Sequence, residues 1–499
     1  MLNINTLGIN LAGAITLGIV FVAVLIVLAI YSVWGLSRVL AIPNNRNHIN
    51  VRIGKASIKT ALAFILVLGI VVRIVASILV AGDDSLTFTL VQQYNNYQDL
   101  GLGGYLTNGI ALYPVSYIIN GVFGQIGDVF GDAEVLSFFL RLPFVLADIA
   151  SALVLYSITR KYVNKQAAII VTALFFFNPV FFLNSSIAGQ YNSLLILTLL
   201  LTFYFLTLRK TAWMIVMYGL SLLIHRDAQI FVAPIAVYVI YLVVRSIIML
   251  RREGKSGMFK DRARNSVIVV PLSIVCVFVG MWLISLPFVA NTYGYNPFVF
   301  LNRLYIQMIQ YFDNYGYNAL NLYNLFNRNG EVTAYTFPSL TFGIIFLLLA
   351  TVIPLVLFLS KRNRANMVLI ASFVMLTLGL YFINFTHSTL VPCVALLLLA
   401  YVFIKDRRIL KVLIALSLAI SINQLASLAH GTTLSNGWAL GISIVTSIVA
   451  IISHIYFTIM ILDICMSSNI LTLNVDPDAT IGQANRNWLK WHKQPRIVQ

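Results

Sequence analysis

Charged residues are scarce in this chain: they make up 10% of its 499 residues, while hydrophobic residues make up 60%. Soluble globular domains carry about 25% charged residues, so this composition excludes that class of protein. Apolar runs of about 18 residues or more recur along the whole chain, and each is long enough to cross a hydrocarbon layer about 30 Å thick. The sequence therefore predicts an all-α, polytopic membrane protein embedded in the lipid bilayer.

Cysteine is also rare, and metal-binding patterns are missing. Cys276, Cys393 and Cys465 all lie inside apolar runs, so we infer no disulfide, zinc site or thiol chemistry. No cluster of Asp, Glu and His has the spacing of metal ligands. The net charge of +17 does not predict a nucleic-acid partner, because the lysines and arginines form short clusters between apolar runs, as in the cytoplasmic loops of membrane proteins.

The apolar runs and their flanking charges predict about thirteen membrane spans. The predicted spans lie at residues 12 to 40, 57 to 81, 138 to 160, 166 to 186, 190 to 208, 211 to 226, 229 to 248, 266 to 290, 336 to 360, 365 to 384, 388 to 404, 409 to 428 and 437 to 465. Basic connections such as "RKYVNK" and "KDRRILK" are predicted to face the cytoplasm, which places the N-terminus outside. The first run lacks the basic start and cleavage site of a signal peptide, so we expect it to stay as a membrane helix.

Lysine and arginine are absent between Arg73 and Arg141, whereas acidic residues occur there repeatedly. We therefore predict a large, structured outer loop at 82–137, and long structured loops are usually functional. Its stretch "YLTNGIALYPVSYIINGVFG" predicts a short interfacial helix interrupted by Gly109 and Pro114. A second outer segment, 291–335, is dense in Tyr and Asn, which suits either sugar binding or an interfacial aromatic belt.

The chain is predicted to have four parts. Residues 1–56 form an extra N-terminal membrane helix and a basic cytoplasmic loop, and residues 57–405 form a catalytic core that includes both outer loops. Residues 406–465 form the C-terminal membrane helices. Residues 466–499, which mix tryptophan with basic residues, form a cytoplasmic tail lying on the membrane surface.

Five segments occur in order at the predicted outer side: "DDSLTF", "ALYPVSYII", "FFFNPVFFLNSSIAGQYNSLLIL", "HRDAQIFVAP" and "YGYNALNLYNLF". Together they resemble the polytopic C-type (GT-C) glycosyltransferases, in particular the bacterial branch related to the GPI mannosyltransferases. The resemblance covers roughly residues 57 to 405. One element departs from the family pattern: where the family has His-Glu-Arg-Tyr, the chain has "FTHSTLVP", in which only His387 and Pro392 fit.

The resemblance implies transfer of a sugar, with inversion, from a polyprenyl-phosphate carrier to a membrane-associated glycan, glycolipid or glycopolymer at the outer face of the cell membrane. Such a reaction needs a base for the acceptor hydroxyl and a cationic cradle for the departing phosphate. Asp84 is the predicted base, with Asp83 in reserve; alternatively, both cap a helix starting at "SLTF". A divalent cation, Mg or Mn, held by Asp84 and the substrate phosphate is compatible with this sequence.

The donor phosphate has four candidate ligands: Arg226, His225, Arg141 and His387. Arg226 suits bidentate hydrogen bonds to phosphate, with His225 beside it. Alternatively, Arg226 pairs with Asp227 and simply ends the helices, Arg141 extends to the membrane surface, and His387 is structural.

Tyrosine and amide side chains near the outer surface are candidates for sugar or acceptor binding: Tyr113, Gln190, Asn192, Gln229, Tyr317, Asn318 and Asn321. Capping of helix ends explains Gln190, Asn192 and Gln229 equally well. Asp148 lies at membrane depth inside a predicted span, so we expect it to form a structural hydrogen bond with a buried partner.

Two other functions fit a polytopic chain that is basic inside. One is a lipid-linked glycan transporter or flippase, and the other is a ligase or polymerase that joins preassembled lipid-linked oligosaccharides. Transporters usually show paired repeats and ionisable groups near the membrane midplane. Here the polar residues concentrate at one predicted membrane face, which favours chemistry at the surface.

Overall fold

The computed structural model describes residues 58–79, 84–102, 113–251, 258–293, 320–322, 325, 339–360, 364–381, 387–429 and 436–466. All regular secondary structure in these ranges is helical, which confirms the all-α prediction.

The α-helices of the described ranges are numbered in chain order. They are α1 (Ile58–Leu79), α2 (Asp84–Leu100), α3 (Pro114–Asp128), α4 (Ala133–Tyr162), α5 (Lys165–Phe176), α6 (Pro179–Phe182), α7 (Asn192–Thr207), α8 (Thr211–Ile224), α9 (Val232–Arg251), α10 (Met258–Tyr293), α11 (Ser339–Ser360), α12 (Arg364–Tyr381), α13 (Val391–Ile404), α14 (Arg407–Ala429) and α15 (Asn436–Met466). Three helical segments of other types lie between these α-helices. They are a π-helical turn, Leu183–Ile187, and the 3-10 helices Arg226–Phe231 and His387–Leu390.

These helices coincide with every predicted span except the one at 12 to 40, which lies outside the described residues. Within the described ranges, seven helices are long and apolar enough to cross a membrane, or eight if the bent pair α5 and α6 forms one span. Helices α7, α8 and α13 are apolar but shorter. The multi-pass membrane class is thus confirmed, while the count of thirteen spans stays a prediction.

The bend between α5 and α6 has a local cause. The residue before a proline is disfavoured in helical conformation, and Asn178 precedes Pro179. The Asn178 side chain then caps α6 by accepting a hydrogen bond from the Val180 N–H at 3.1 Å. The chain continues into the π-helical turn, where the Ala188 N–H donates to the Leu183 carbonyl at 2.9 Å. All residues from 183 to 190 are buried, so this turn carries the following connection into the protein interior.

The predicted outer loop at 82–137 contains two helices, α2 and α3, which pack against each other. At the expected interruption, Pro114, the chain changes from an extended residue, Tyr113, to the first residue of α3. Proline is favoured at the first helical position, where its fixed φ suits the helix and its missing N–H is not needed. Gly109 lies outside the described residues.

Predicted outer connections meet at one end of the helix bundle, here called the site end. The Ser116 Oγ donates to the Ile224 carbonyl at 2.7 Å, which joins α3 to the end of α8. The Asn192 Nδ2 donates to the Ser388 carbonyl at 3.0 Å, which joins the start of α7 to the segment before α13. Segments far apart in sequence are therefore brought together there.

The opposite end, here called the basic end, carries predicted cytoplasmic connections. The rings of Tyr162 and Phe403, at the ends of α4 and α13, lie 5.3 Å apart. The Arg408 guanidinium lies 2.7 Å from the Asp463 carboxylate, which joins the start of α14 to the end of α15. The two sets of predicted connections thus occupy opposite ends, as the alternating charges indicate; which end faces the cytoplasm stays a prediction.

Burial separates central helices from peripheral ones. Every residue of α12 and α13 is buried, so these helices lie at the centre. Helices α1 and α10 instead expose many large apolar side chains, such as Phe64 and Leu272. Apolar surface of this extent is not stable in water, and it suits contact with lipid.

A buried ion pair links two of the candidate spans. The Arg73 Nε in α1 lies 3.3 Å from the Asp148 Oδ2 in α4, and the side chains are 1% and 0% exposed. Arg73 also donates through Nη1 to the Phe176 carbonyl at 2.8 Å. The hydroxyls of Ser185 and Ser193 lie near the same carboxylate. The expected buried partner of Asp148 is therefore Arg73.

We predict that Asp148→Asn lowers the free energy of unfolding by about 3–5 kcal/mol, because it leaves the Arg73 charge buried without a counter-charge. Thermal unfolding of the purified protein in detergent measures this loss. The matched control is Asp463→Asn, which removes a counter-charge from Arg408 at a carboxylate 44% exposed and is expected to cost about 0–1 kcal/mol. Equal unfolding midpoints for the two variants would contradict the prediction.

Candidate functional site

Two predicted sugar-binding side chains contact each other at the site end. Tyr113 precedes α3, and Gln229 lies in the 3-10 helix Arg226–Phe231 that follows α8. The Gln229 Nε2 donates to the Tyr113 Oη at 3.4 Å. The bond from Ser116 to the Ile224 carbonyl holds α3 beside the end of α8 and so keeps these residues close.

Arg226 and His225 lie in the same place, around a buried carboxylate. The Arg226 Nε is 3.4 Å from the Asp227 Oδ1, and Asp227 is 1% exposed while Arg226 is 18% exposed. The alternative contact expected from the sequence, between Arg226 and Asp227, is thus present. The ion pair fixes the guanidinium at the rim of this group of side chains. We call residues 225–229 together with Tyr113 the 225–229 cluster, because Tyr113 interacts electrostatically with both Arg226 and Asp227.

His225 is a neutral hydrogen-bonding group in this arrangement. Burial lowers the pKa of His225, with Arg226 acting in the same direction and Asp227 opposing them. The Nδ1 accepts a hydrogen bond from the Asp227 N–H at 3.2 Å, which leaves the proton of the neutral ring on Nε2. His225 therefore contributes an N–H donor near neutral pH, and Arg226 carries the positive charge of the cluster.

Arg141 lies in a second group of side chains, on the α4 side of the site end. It is 3% exposed, and its Nη1 donates to the Ser77 carbonyl at the end of α1 at 3.4 Å. Gly189 adopts a φ of +61°, and a Cβ there would lie 3.1 Å from the Arg141 Cγ and 3.2 Å from the Leu90 Cδ1. Arg141 is therefore enclosed by α1, α2 and the 188–191 connection, and its side chain is not exposed at the protein surface.

Gln190 and Asn192 follow Gly189 and are both buried. The Gln190 N–H donates to the Asn184 carbonyl at 2.9 Å, and the Asn192 Nδ2 donates to the Ser388 carbonyl. Neither side-chain oxygen, Gln190 Oε1 nor Asn192 Oδ1, has a hydrogen-bond partner. Neither amide therefore caps α7 through its oxygen, so the capping alternative does not account for them.

The structure describes the remaining candidates only in part. Asp84 is the first residue of α2, and His387 begins the 3-10 helix that contacts Asn192 through Ser388. The side chains of Asp84 and His387 lie outside the described part, so the choice between a base and a helix cap for Asp84 stays a prediction. Asn321 is 1% exposed, and its neighbour Leu322 donates through its N–H to the Leu380 carbonyl at the end of α12. Asp83, Tyr317 and Asn318 lie outside the described residues.

The 225–229 cluster and the segment that contains Ser388 both pack against α12. The 3-10 helices Arg226–Phe231 and His387–Leu390 each contact this central helix. Guanidinium groups, amides, a tyrosine hydroxyl and a neutral imidazole are thus gathered at one end of the bundle. Such a set can hold an anionic group by charge-assisted hydrogen bonds and a sugar by hydrogen bonds to its hydroxyls.

Sequence reasoning missed one structural member of the site end, Arg73. The signal was available, because Arg73 interrupts an otherwise apolar run and an ionisable residue at that depth requires a partner. Within the described ranges, no group of three His, Cys, Asp or Glu side chains is arranged to hold a metal ion.

This architecture, all-helical with several helices long and apolar enough to cross a membrane, defines the class of multi-pass integral membrane proteins. Residues 124–255, about a quarter of the 499-residue chain, match the family described as dolichyl-phosphate-mannose-protein mannosyltransferase. The matched segment contains α4 to α9, and so Arg141, Gln190, Asn192 and the 225–229 cluster. The match supports a membrane glycosyltransferase of the GT-C type, confirming the resemblance seen in the sequence, while the bacterial branch stays a prediction. No curated protein sequence matches the chain.

We predict that Gly189→Ala destabilises the protein more than Gly131→Ala does. Both glycines have φ above +60°, where an L side chain costs about 1–2 kcal/mol. Only the Gly189 Cβ would press on Arg141 and Leu90, whereas nothing lies within 4 Å of a Cβ at Gly131. Thermal unfolding in detergent measures the difference between the two variants, and a larger loss for Gly131→Ala would show that the 188–191 connection is not tightly packed on Arg141.

Proposed function

We propose that the protein transfers a sugar from a polyprenyl-phosphate carrier to a glycan, glycolipid or glycopolymer of the cell envelope, with inversion, at the outer face of the cell membrane. The observation that carries the proposal is the 225–229 cluster, in which a positive charge, two amide or hydroxyl groups and an N–H donor meet inside the segment that matches the mannosyltransferase family. A lipid-linked sugar phosphate presents this combination of an anionic phosphate and neutral hydroxyls.

The phosphate has a defined place in this proposal. Negative charge develops on the carrier phosphate as its bond to the sugar breaks, so a fixed cation beside it lowers the barrier. Arg226, held by the buried Asp227, supplies that charge, and the Nε2–H of His225 supplies a hydrogen bond. Arg141, on the α4 side, and His387, at the start of its 3-10 helix, are proposed as further phosphate ligands at the same end.

The acceptor needs a base, and Asp84 is proposed for this role. Its carboxylate takes the proton of the acceptor hydroxyl while the new glycosidic bond forms and the sugar–phosphate bond breaks. Asp84 begins α2, and Leu90 of this helix lies against the 188–191 connection. Asp84 is thus about 9 Å along the helix axis from the contact with Gly189. Asp83 is the reserve base.

Sugar and acceptor hydroxyls are proposed to bind to the amides and tyrosines of the site end: Tyr113, Gln190, Asn192, Gln229, Tyr317, Asn318 and Asn321. The buried oxygens of Gln190 and Asn192 support this role, because each can accept a hydrogen bond from a hydroxyl. An unpartnered buried acceptor is unfavourable by about 1–3 kcal/mol, and a bound hydroxyl removes that penalty.

The assignment of the base predicts different effects for adjacent carboxylates. Asp84→Asn is expected to reduce transfer about 10²–10⁴-fold, because the amide cannot take the hydroxyl proton. Asp83→Asn is the matched control and is expected to retain transfer. The measurement is transfer of radiolabelled sugar by membranes carrying each variant at equal expression, with a panel of polyprenyl-phosphate sugars as donors.

The same assay separates the other proposals. Transfer from no donor by the wild type would favour a lipid-linked glycan flippase, and transfer of preassembled oligosaccharides alone would favour a ligase or polymerase. Indifference to both substitutions would make the carboxylates a helix cap. Loss of transfer in EDTA, restored by Mg²⁺ or Mn²⁺, would show that a divalent cation acts with Asp84 and the substrate phosphate.

The phosphate assignment gives a further prediction. Arg226→Gln is expected to raise the KM for the donor about 10- to 100-fold, since a charge-assisted hydrogen bond contributes about 1.5–3 kcal/mol. Arg408→Gln, at the basic end, is the control and is expected to leave this KM unchanged. Kinetics of transfer at varied donor concentration measure both, and a donor KM unaltered in Arg226→Gln would remove Arg226 from the phosphate site.

A further inference from the structure

Helix α14, which lies beyond the predicted catalytic core, carries a buried amide with neither of its polar atoms hydrogen-bonded. The side chain of Gln424 is 3% exposed, and both Oε1 and Nε2 lack a partner. Burying an amide without hydrogen bonds is unfavourable. Polar side chains inside membrane proteins that stabilise nothing are commonly functional.

The face of α14 on which Gln424 lies is defined by its neighbours. Ser417, Ser421 and Gln424 follow the i, i+4, i+7 spacing, which places them on one side of the helix. The Ser417 Oγ accepts a hydrogen bond from the Asn178 Nδ2 at 2.9 Å, so this side faces the bend between α5 and α6. The Ser421 hydroxyl donates to the Ser417 carbonyl, which leaves Gln424 as the member of the stripe without a bond.

The height of Gln424 in the bundle follows from the connection between α13 and α14. These helices pack together and are joined by residues 405 and 406 only. Gln424 lies as many residues beyond this connection as His387 lies before it. Gln424 is therefore level with the 3-10 helix His387–Leu390, which α14 contacts, together with the π-helical turn.

The surroundings at that level belong to the candidate site. Ser388 accepts the hydrogen bond from Asn192, whose own side-chain oxygen has no partner. The Thr389 Oγ1, on a residue 1% exposed, also lacks a hydrogen-bond partner. Three side chains from α7, α14 and the segment before α13 thus offer unsatisfied donors or acceptors at one level.

We propose that Gln424 binds hydroxyl groups of the saccharide in the lipid-linked substrate, with Thr389 and Asn192 at the same level of the bundle; this deepens, and rests on, the proposed glycosyl transfer. A carboxamide offers one acceptor and two N–H donors in a fixed plane, which suits a pair of adjacent sugar hydroxyls. The substrate site therefore extends onto α14, a helix outside the 57–405 region that resembles known enzymes.

The test compares Gln424→Met with Asn423→Leu. Gln424→Met keeps the length of the side chain and removes an amide that stabilises nothing in the free protein, so the unfolding midpoint should stay the same or rise. The KM for donor or acceptor should rise about tenfold, since one neutral hydrogen bond contributes about 0.5–1.5 kcal/mol. The substrate whose KM rises identifies the saccharide that Gln424 contacts.

Asn423→Leu is the matched control because the neighbouring amide is structural. The Asn423 Nδ2 donates to Ser443 at 3.3 Å and to Thr446 at 3.2 Å, both in α15. This variant should lower the unfolding midpoint and leave both KM values unchanged. Wild-type kinetics in Gln424→Met for both substrates would overturn the inference while leaving the proposed function intact.

A binding measurement separates the inference from the transfer reaction. The unfolding midpoint is measured with short-chain polyprenyl-phosphate mannose as donor probe and with an alkyl mannoside as acceptor probe. One outcome is that the wild type transfers nothing, a probe raises its unfolding midpoint, and Gln424→Met abolishes that rise. The proposed function is then wrong and the saccharide site stands. If the midpoint is raised equally in both proteins, or in neither, Gln424 does not bind the saccharide.

Discussion

The ion pair between Arg73 and Asp148 is the constraint on which the site end depends. Two charges with almost no exposure are tolerated inside a helix bundle only when they face each other and find additional hydrogen bonds. The Arg73 guanidinium joins α1 to α4 through Asp148, and to the end of α5 through the Phe176 carbonyl. The pair therefore fixes three helices at the point where the chain bends towards the site.

From that pair, a series of buried contacts reaches the candidate site. Ser77 donates to the Arg73 carbonyl and accepts, through its own carbonyl, the hydrogen bond of Arg141. On the other side, the hydroxyls of Ser185 and Ser193 lie near Asp148 and flank the connection that contains Gly189. Irregular backbone at this depth is tolerated only where protein encloses it or where it lines a cavity. The bend at Pro179 and the π-helical turn thus place polar backbone groups and amides inside the helix bundle, where a surface loop would not reach.

The sequence predicts the helices well because length and hydropathy are local properties. It also predicts local contacts, such as Arg226 with Asp227, which are neighbours in the chain. It does not predict the contact between Tyr113 and Gln229, since an apolar pattern marks which residues enter the bilayer and not which helices become neighbours. The enclosure of Arg141 was missed for the same reason: its burial depends on α1, α2 and the 188–191 connection meeting around it.

Buried amides without hydrogen-bond partners occur at both ends of the bundle, since Asn366 near the start of α12 lacks a partner for both its Oδ1 and its Nδ2. At the basic end, Arg408 is satisfied by Asp406 and Asp463 in partly exposed ion pairs, which contribute little and need no ligand. At the site end, the oxygens of Gln190 and Asn192 are buried without partners, although an apolar side chain of similar size would remove that penalty. Under the proposed glycosyl transfer, substrate hydroxyls would satisfy the oxygens of Gln190 and Asn192, because binding would then supply hydrogen bonds that folding leaves unmade.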